Sequence, residues 1–137
     1  MIERSRALAL RWFEEVWNRR LGATVDELFA PAAVGHMEGV EVVGPAALHK
    51  VRAALLAAFP DLEITAEDTV AEGNNVVVRW RAPGTHLGEG FGVRATRAPI
   101  TVRGMTWLRI ENGRIVEGWD AWNQGALIES LRAASTE

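Results

Sequence analysis

Ile100-Thr101-Val102-Arg103-Gly104-Met105-Thr106-Trp107-Leu108-Arg109-Ile110 and Ile115-Val116-Glu117-Gly118-Trp119-Asp120-Ala121-Trp122-Asn123 are two apolar, tryptophan-bearing runs joined by Glu111-Asn112-Gly113-Arg114. Asn-Gly accepts the positive φ angles of a tight turn, so the two runs read as the arms of a β-hairpin. Alternate side chains of a strand share a face. Val116, Gly118, Asp120 and Trp122 therefore fall on one side, Glu117 and Trp119 on the other. The first face suits the lining of an apolar cavity with a carboxylate in its wall. The second suits an outer sheet surface at which two copies meet.

Upstream, Leu62, Ile64 and Ala66 alternate with Glu63, Thr65 and Glu67, and Val70-Ala71 leads to a turn at Glu72-Gly73-Asn74-Asn75. Val76-Val77-Val78-Arg79-Trp80-Arg81-Ala82 is β-branched and returns as a hairpin partner. A Gly-rich stretch, residues 84–92, separates it from Ile100. Before the strands the apolar period is helical. Ala9, Trp12/Phe13, Val16/Trp17 and Leu21 mark one face of a helix over residues 3–21, with Gly22 as its stop. A short helical turn over residues 25–30 ends at Pro31. Two short extended pieces, residues 33–37 and 41–43, flank a turn at Glu38-Gly39. Gly44-Pro45 opens a second helix whose buried face carries Leu48, Val51, Leu55 and Phe59, and Pro60 ends it. Residues 124–134 close the chain as an amphipathic segment with Leu127, Ile128 and Leu131 on one side. Helices first and hairpin-linked strands afterwards make an α+β fold, with helices laid on one face of a curved sheet.

The chain has 137 residues, enough for one domain over 1–137 with a substantial core. A formal net charge of −3 and the absence of any basic run give no reason to expect nucleic acid or an anionic membrane as partner. No apolar run approaches the roughly 20 residues of a membrane-spanning helix, and the N-terminus is charge-rich and amphipathic instead of resembling a secretory signal. A cytoplasmic protein is expected. There is no Cys, which removes disulfides, thiolate nucleophiles and thiolate metal sites. Six Trp accompany no Tyr, so large apolar faces are plentiful and a phenolic acid is not available.

Phe59-Pro60-Asp61-Leu62, Gly84-Thr85-His86-Leu87-Gly88 and Asn112-Gly113-Arg114-Ile115-Val116-Glu117-Gly118-Trp119-Asp120 resemble segments of the SnoaL-like polyketide cyclase family. Trp17-Asn18 and Leu28-Phe29-Ala30-Pro31 fit it too, so the resemblance covers about residues 11–131. It implies the cone-shaped α+β barrel shared by nuclear transport factor two, ketosteroid isomerases, scytalone dehydratase and limonene-epoxide hydrolase: a curved antiparallel or mixed sheet with N-terminal helices on its concave face. It also implies a cofactor-free homodimer that takes a small apolar ligand. In the cyclases an acidic side chain in the cavity does acid/base work during an intramolecular aldol closure. Fold alone does not select among the chemistries that such a cavity hosts.

Asp120 is the leading candidate for the acid/base. A carboxylate in an apolar wall has its charged form disfavoured, which moves its pKa toward values useful for proton transfer; the alternative role is a cap on the following helix. His86, in Gly-Thr-His-Leu-Gly, and His36, in the short strand after the first helices, are candidates for orienting or polarising substrate oxygens, although the glycines around His86 speak for a loop organiser before a site. Trp17, Trp80, Met105, Trp107, Trp122 and Asn123 are the expected ligand-contacting residues. Arg79, Arg81, Arg103 and Arg109 should be exposed or form cross-strand pairs. Three His without metal-ligand spacing predict no metal site. The expected function is a cofactor-independent cyclase or isomerase acting on an apolar, carbonyl-bearing substrate. The competing expectation is a non-catalytic pocket or dimerisation module of the same fold.

Overall fold

The apolar repeat at the N-terminus is realised in two pieces. In the computed structural model, which describes residues 2–135, α1 (Ile2–Trp12) continues into a π-helical turn, Phe13–Asn18, along which Phe13, Val16 and Trp17 are all buried. Asn18 then ties this turn to the sheet side of the molecule: its side chain accepts the Ile64 N–H at 2.6 Å and donates to the Ile64 carbonyl at 2.8 Å. Gly22, expected as a stop, instead opens α2 (Gly22–Leu28).

The first strand, β1 (Phe29–Met37), begins four residues earlier than predicted and takes in Pro31. Proline gives no N–H to a ladder, and the register of β1 is irregular between Phe29 and Val34, where Pro31 lies. β2 (Val40–Val43) returns as its hairpin partner, and α3 (Gly44–Ala58) follows with Pro in its first turn. The remaining strands are β3 (Thr65–Glu72), β4 (Asn75–Thr85), β5 (Pro99–Glu111) and β6 (Arg114–Trp122), and α4 (Gln124–Ser135) ends the described chain.

The six strands form one sheet in the order β2-β1-β6-β5-β4-β3. All neighbours are antiparallel except β1 and β6, which run parallel, so the sheet is mixed. Side chains from α1, α2, α3 and the inner face of the sheet make one core, including Trp12, Val16, Leu28, Leu48, Val76, Val78, Leu108 and Ile115. A second cluster, Ala58, Phe59, Val93, Ile100, Leu127 and Leu131, seats α4 against the end of α3 and the long β4–β5 connection. No described helix is long and apolar enough to cross a membrane.

One irregularity decides which side chains face inward. From the Asn112-Gly113 turn the ladder pairs Glu111 with Arg114 and Ile110 with Ile115, but next pairs Arg109 with Glu117. Val116 is the extra residue, a β-bulge that shifts the register by one. Beyond it Leu108 pairs with Gly118, Thr106 with Asp120, and Gly104 with Trp122. Directly opposed residues of an antiparallel pair share a face. Ile115 is thereby fully buried, while Val116, expected to line the cavity, does not reach it.

Candidate active site

Helices and sheet enclose a cavity of about 540 Å³, within the size range of small-molecule sites. Its wall is mainly aromatic and aliphatic: Trp12, Phe13, Trp17 and Phe29 from the N-terminal half, Leu48, Val51 and Leu55 from α3, Trp80 and Ala82 from β4, Ile100, Val102 and Leu108 from β5, and Gly118 and Trp122 from β6. Glu89, Gly90 and Phe91 of the β4–β5 connection complete it. That connection lies close against α3. The N–H groups of Leu87 and Gly88 both donate to the Ala58 carbonyl, at 3.0 and 3.1 Å, and a Cβ on Gly88 would come within 2.0 Å of the Ala57 carbonyl oxygen. Only glycine allows that approach.

Asp120 is placed in this wall by the bulge. Its Oδ1 accepts the hydroxyl of Thr106, directly opposite on β5, at 2.7 Å, and Thr106 Oγ1 in turn accepts the indole N–H of Trp80 at 2.9 Å. Surrounding protein strips water from the carboxylate, and the neighbouring charge of Glu38 adds to the effect, against the stabilising bond from Thr106. Together they push the Asp120 carboxyl up from 3.8 to about 6. An acid with that pKa is mostly ionised at neutral pH yet readily protonated, the state required for taking a proton and giving it back. Glu38, Glu89, Gln124 and His36 are the further polar residues at the cavity.

A family model described as SnoaL-like polyketide cyclase matches residues 7–131. The chain belongs to the SnoaL-like polyketide cyclase family. Among solved structures it is similar to a protein of Jannaschia sp. CCS1 assigned to the SnoaL-like polyketide cyclases, with 25% identity, a TM-score of 0.90, and coverage of 96% of this chain and 93% of that one. It is similar to AclR of Streptomyces galilaeus, assigned as a hydroxylase, at 28% identity and a TM-score of 0.85, covering 97% and 98% of the two chains. IdmH of Streptomyces antibioticus, assigned as a polyketide cyclase, matches at 28% identity and a TM-score of 0.79, covering 94% and 98%. No curated protein sequence matches the chain. A ketosteroid isomerase-like fold from Catenulispora acidiphila, 18% identical, superposes with a TM-score of 0.74.

Within this SnoaL-like framework the predicted residues separate. Trp17, Trp80, Trp122 and Asp120 all line the cavity. Met105 and Trp107 do not. They lie on the outer sheet face, 51% and 49% exposed, because β5 alternates without a break and its inner face carries Ile100, Thr106, Leu108 and Ile110. Trp107 donates its indole N–H to Asn75 and meets Trp119 edge to face, with ring centroids 6.0 Å apart.

Asn123 does not line the cavity either. Its Oδ1 accepts the backbone N–H of Ala126, so it caps α4, the alternative role that the sequence leaves open for Asp120. His36 borders the cavity but its ring is committed elsewhere. Nε2 lies 2.7 Å from Glu117 and Nδ1 2.8 Å from Glu41, and the ring stacks on Trp119 at 5.5 Å. Two carboxylate partners, Glu117 foremost, raise its pKa and favour the imidazolium.

His86 is fully buried behind Phe59, outside the cavity wall. Its Nδ1 accepts the Thr96 N–H at 3.2 Å and lies 3.0 Å from the Thr96 hydroxyl, and its backbone bonds both Ala98 and Arg97. It organises the β4–β5 connection, and burial holds its imidazole below the usual range. Asp61 performs a related task, accepting the Thr85 N–H and hydroxyl at 2.7 Å each, so two of the family-like segments are joined to one another.

Arg79 and Arg81 pair across to Glu67, and Arg109 to Glu117 and Glu111, all on the outer face. Thr106 and Glu38 are functional neighbours of Asp120 that sequence reasoning missed. A threonine amid apolar alternation was the available signal for the first. Its register opposite Asp120 depends on the bulge.

Proposed function

We propose that this protein is a cofactor-independent acid/base catalyst of the cyclase or isomerase type, acting on a small, mostly apolar, carbonyl-bearing substrate held in the 540 Å³ cavity. The observation that carries this reading is Asp120: one carboxyl in an apolar wall, raised to about 6, with Oδ2 making no hydrogen bond among the described residues. In an intramolecular aldol closure, ionised Asp120 takes a proton from the carbon beside a carbonyl. The resulting enolate carbon forms the new C–C bond to a second carbonyl, and Asp120 returns its proton to the alkoxide. The step is neutral in protons and electrons, so no cofactor is required. Double-bond isomerisation uses the same removal and return.

The reading extends to a cytoplasmic homodimer joined through the outer sheet face. Exposed Met105, Trp107 and Trp119 on β5 and β6 support that mode of association.

The test is turnover by wild type and Asp120→Asn on a panel of apolar poly-β-ketones and β,γ-unsaturated ketones. Loss of a general acid/base lowers the rate by about 10²–10⁴-fold, and the variant should still bind the substrate. An Asp120→Asn protein with unchanged turnover would overturn the assignment.

A further inference from the structure

One hydroxyl joins Trp80 to Asp120. An indole N–H can only donate, and that of Trp80 is given to Thr106 Oγ1 at 2.9 Å. Thr106 has one proton of its own, which goes to Asp120 Oδ1 at 2.7 Å; among the described residues its Oγ1 has no other acceptor. Trp80 and Thr106 are buried, at 7% and 5% exposure, so bulk water does not compete for these bonds.

The direction of the chain is therefore set from the indole end. A proton placed on Oδ1 would face the Thr106 proton, and reversing Thr106 would leave its hydroxyl proton with no acceptor in a buried position, which is costly. Oδ1 thus accepts in both charge states of Asp120. Oδ2 makes no hydrogen bond among the described residues, and Asp120 lines the cavity.

We propose that Trp80, acting through Thr106, divides the two oxygens of Asp120 by duty: Oδ1 is held as a permanent acceptor, and Oδ2 is the oxygen that exchanges a proton with the ligand. The proposal rests on the acid/base reading of Asp120 and deepens it. Trp80 and Thr106 are positioning residues here. The arrangement also orients the carboxyl plane, because a carboxylate held at one oxygen by a buried donor has little freedom left about its last torsion. A single proton-exchanging oxygen in a fixed place serves removal and return of a proton at two neighbouring substrate atoms.

NMR titration tests the relay without a substrate. In the wild-type protein the Asp120 carboxyl carbon and the Trp80 indole N–H, assigned by its loss in Trp80→Phe, should shift with one common midpoint. Thr106→Val should raise the Asp120 midpoint by about one pH unit, the scale of one hydrogen bond to a charged group. Thr106→Ser should restore the wild-type midpoint, and Trp80→Phe should give a smaller rise than Thr106→Val, since a hydroxyl that accepts an indole proton is the better donor.

A Trp80 indole signal that stays flat while Asp120 titrates would overturn the proposal, and that titration is read on the wild-type protein. So would a Thr106→Ser midpoint equal to that of Thr106→Val. If the indole follows the carboxyl while Asp120→Asn keeps full turnover, the relay stands and the acid/base reading falls. If the indole signal is flat and Asp120→Asn is inactive, the acid/base reading stands and the relay falls.

Discussion

Asn123 Oδ1 accepts the backbone N–H of Ala126 at 2.9 Å, closing the first turn of α4. Helix N-termini leave backbone donors without partners, and a side-chain oxygen at the cap satisfies one. Asn123→Ala should therefore lower stability by about 1 kcal/mol, while Asn123→Asp should keep it. Ligand affinity should change little in either, because the residue is outside the cavity wall. Urea unfolding alongside ligand titration checks both halves.

Asp120 holds the opposite kind of position, costly for stability in its charged form. Its folded pKa of about 6 exceeds the ordinary 3.8, so between these values the native state binds more protons than the unfolded one. Unfolding free energy then falls as pH rises through this window, by up to about 3 kcal/mol at 1.36 kcal/mol per pKa unit. Asp120→Asn should be the more stable protein at pH 8 and show little advantage near pH 4. Melting temperatures across that range decide it. In the base role, the rate should rise with pH through about 6.

His36 has the reverse linkage. Glu117 and Glu41 raise its folded pKa, so its contribution is fully present below the ordinary histidine value of 6.5 and is lost as pH rises through the folded value. His36→Gln should destabilise the protein at mildly acidic pH, and the difference from wild type should close at alkaline pH. A difference that widens with pH would contradict the ion-pair geometry.

Gly104 is where the Trp80 indole finds room. A Cβ there would lie 2.6 Å from Trp80 Cζ2, 2.8 Å from the Ala121 carbonyl oxygen and 2.9 Å from Trp122 Cβ. Backbone on one side and two large rings on the others cannot all yield, so Gly104→Ala should cost about 1–3 kcal/mol by overpacking. It should also alter tryptophan fluorescence and weaken ligand binding, since both rings line the cavity.

The outer face offers a separate test. Trp107→Glu places a charge beside exposed Met105 and Trp119 without touching the cavity lining. Light scattering should report monomers for this variant and dimers for wild type at the same concentration. Dimers in both would rule out association through this face.

Local patterns announced most of the fold. Helical apolar spacing located α1 and α3, β-branched alternation located β4, and Asn112-Gly113 located the hairpin of β5 and β6, because each of these is a preference carried by a few neighbouring residues. The family-like segments around Asp61, His86 and Asp120 made the architecture and the leading acid legible together. Ion pairing of the arginines on the outer face was legible for the same local reason.

The register of the last hairpin was not. Counting back from Glu111 and Arg114 without a bulge would oppose Asp120 to Met105 and Gly118 to Trp107, and so leave Asp120 and Gly118 on the outer face beside those two large side chains. The extra residue at Val116 moves every later pair by one position. Gly118, Asp120 and Trp122 thereby turn to the cavity, opposite Leu108, Thr106 and Gly104 on the unbroken inner face of β5. A bulge is chosen by how the whole sheet packs on its helices, so nothing within two or three residues signals it. The partners of His36, Glu41 and Glu117, likewise lie on strands brought together only by folding. Sequence by itself pointed to an apolar cavity and to Asp120 as its leading acid. Tertiary structure decided that Thr106, not Met105, faces that carboxylate, and that Asn123 is a helix cap, because strand register and helix ends are set by long-range packing.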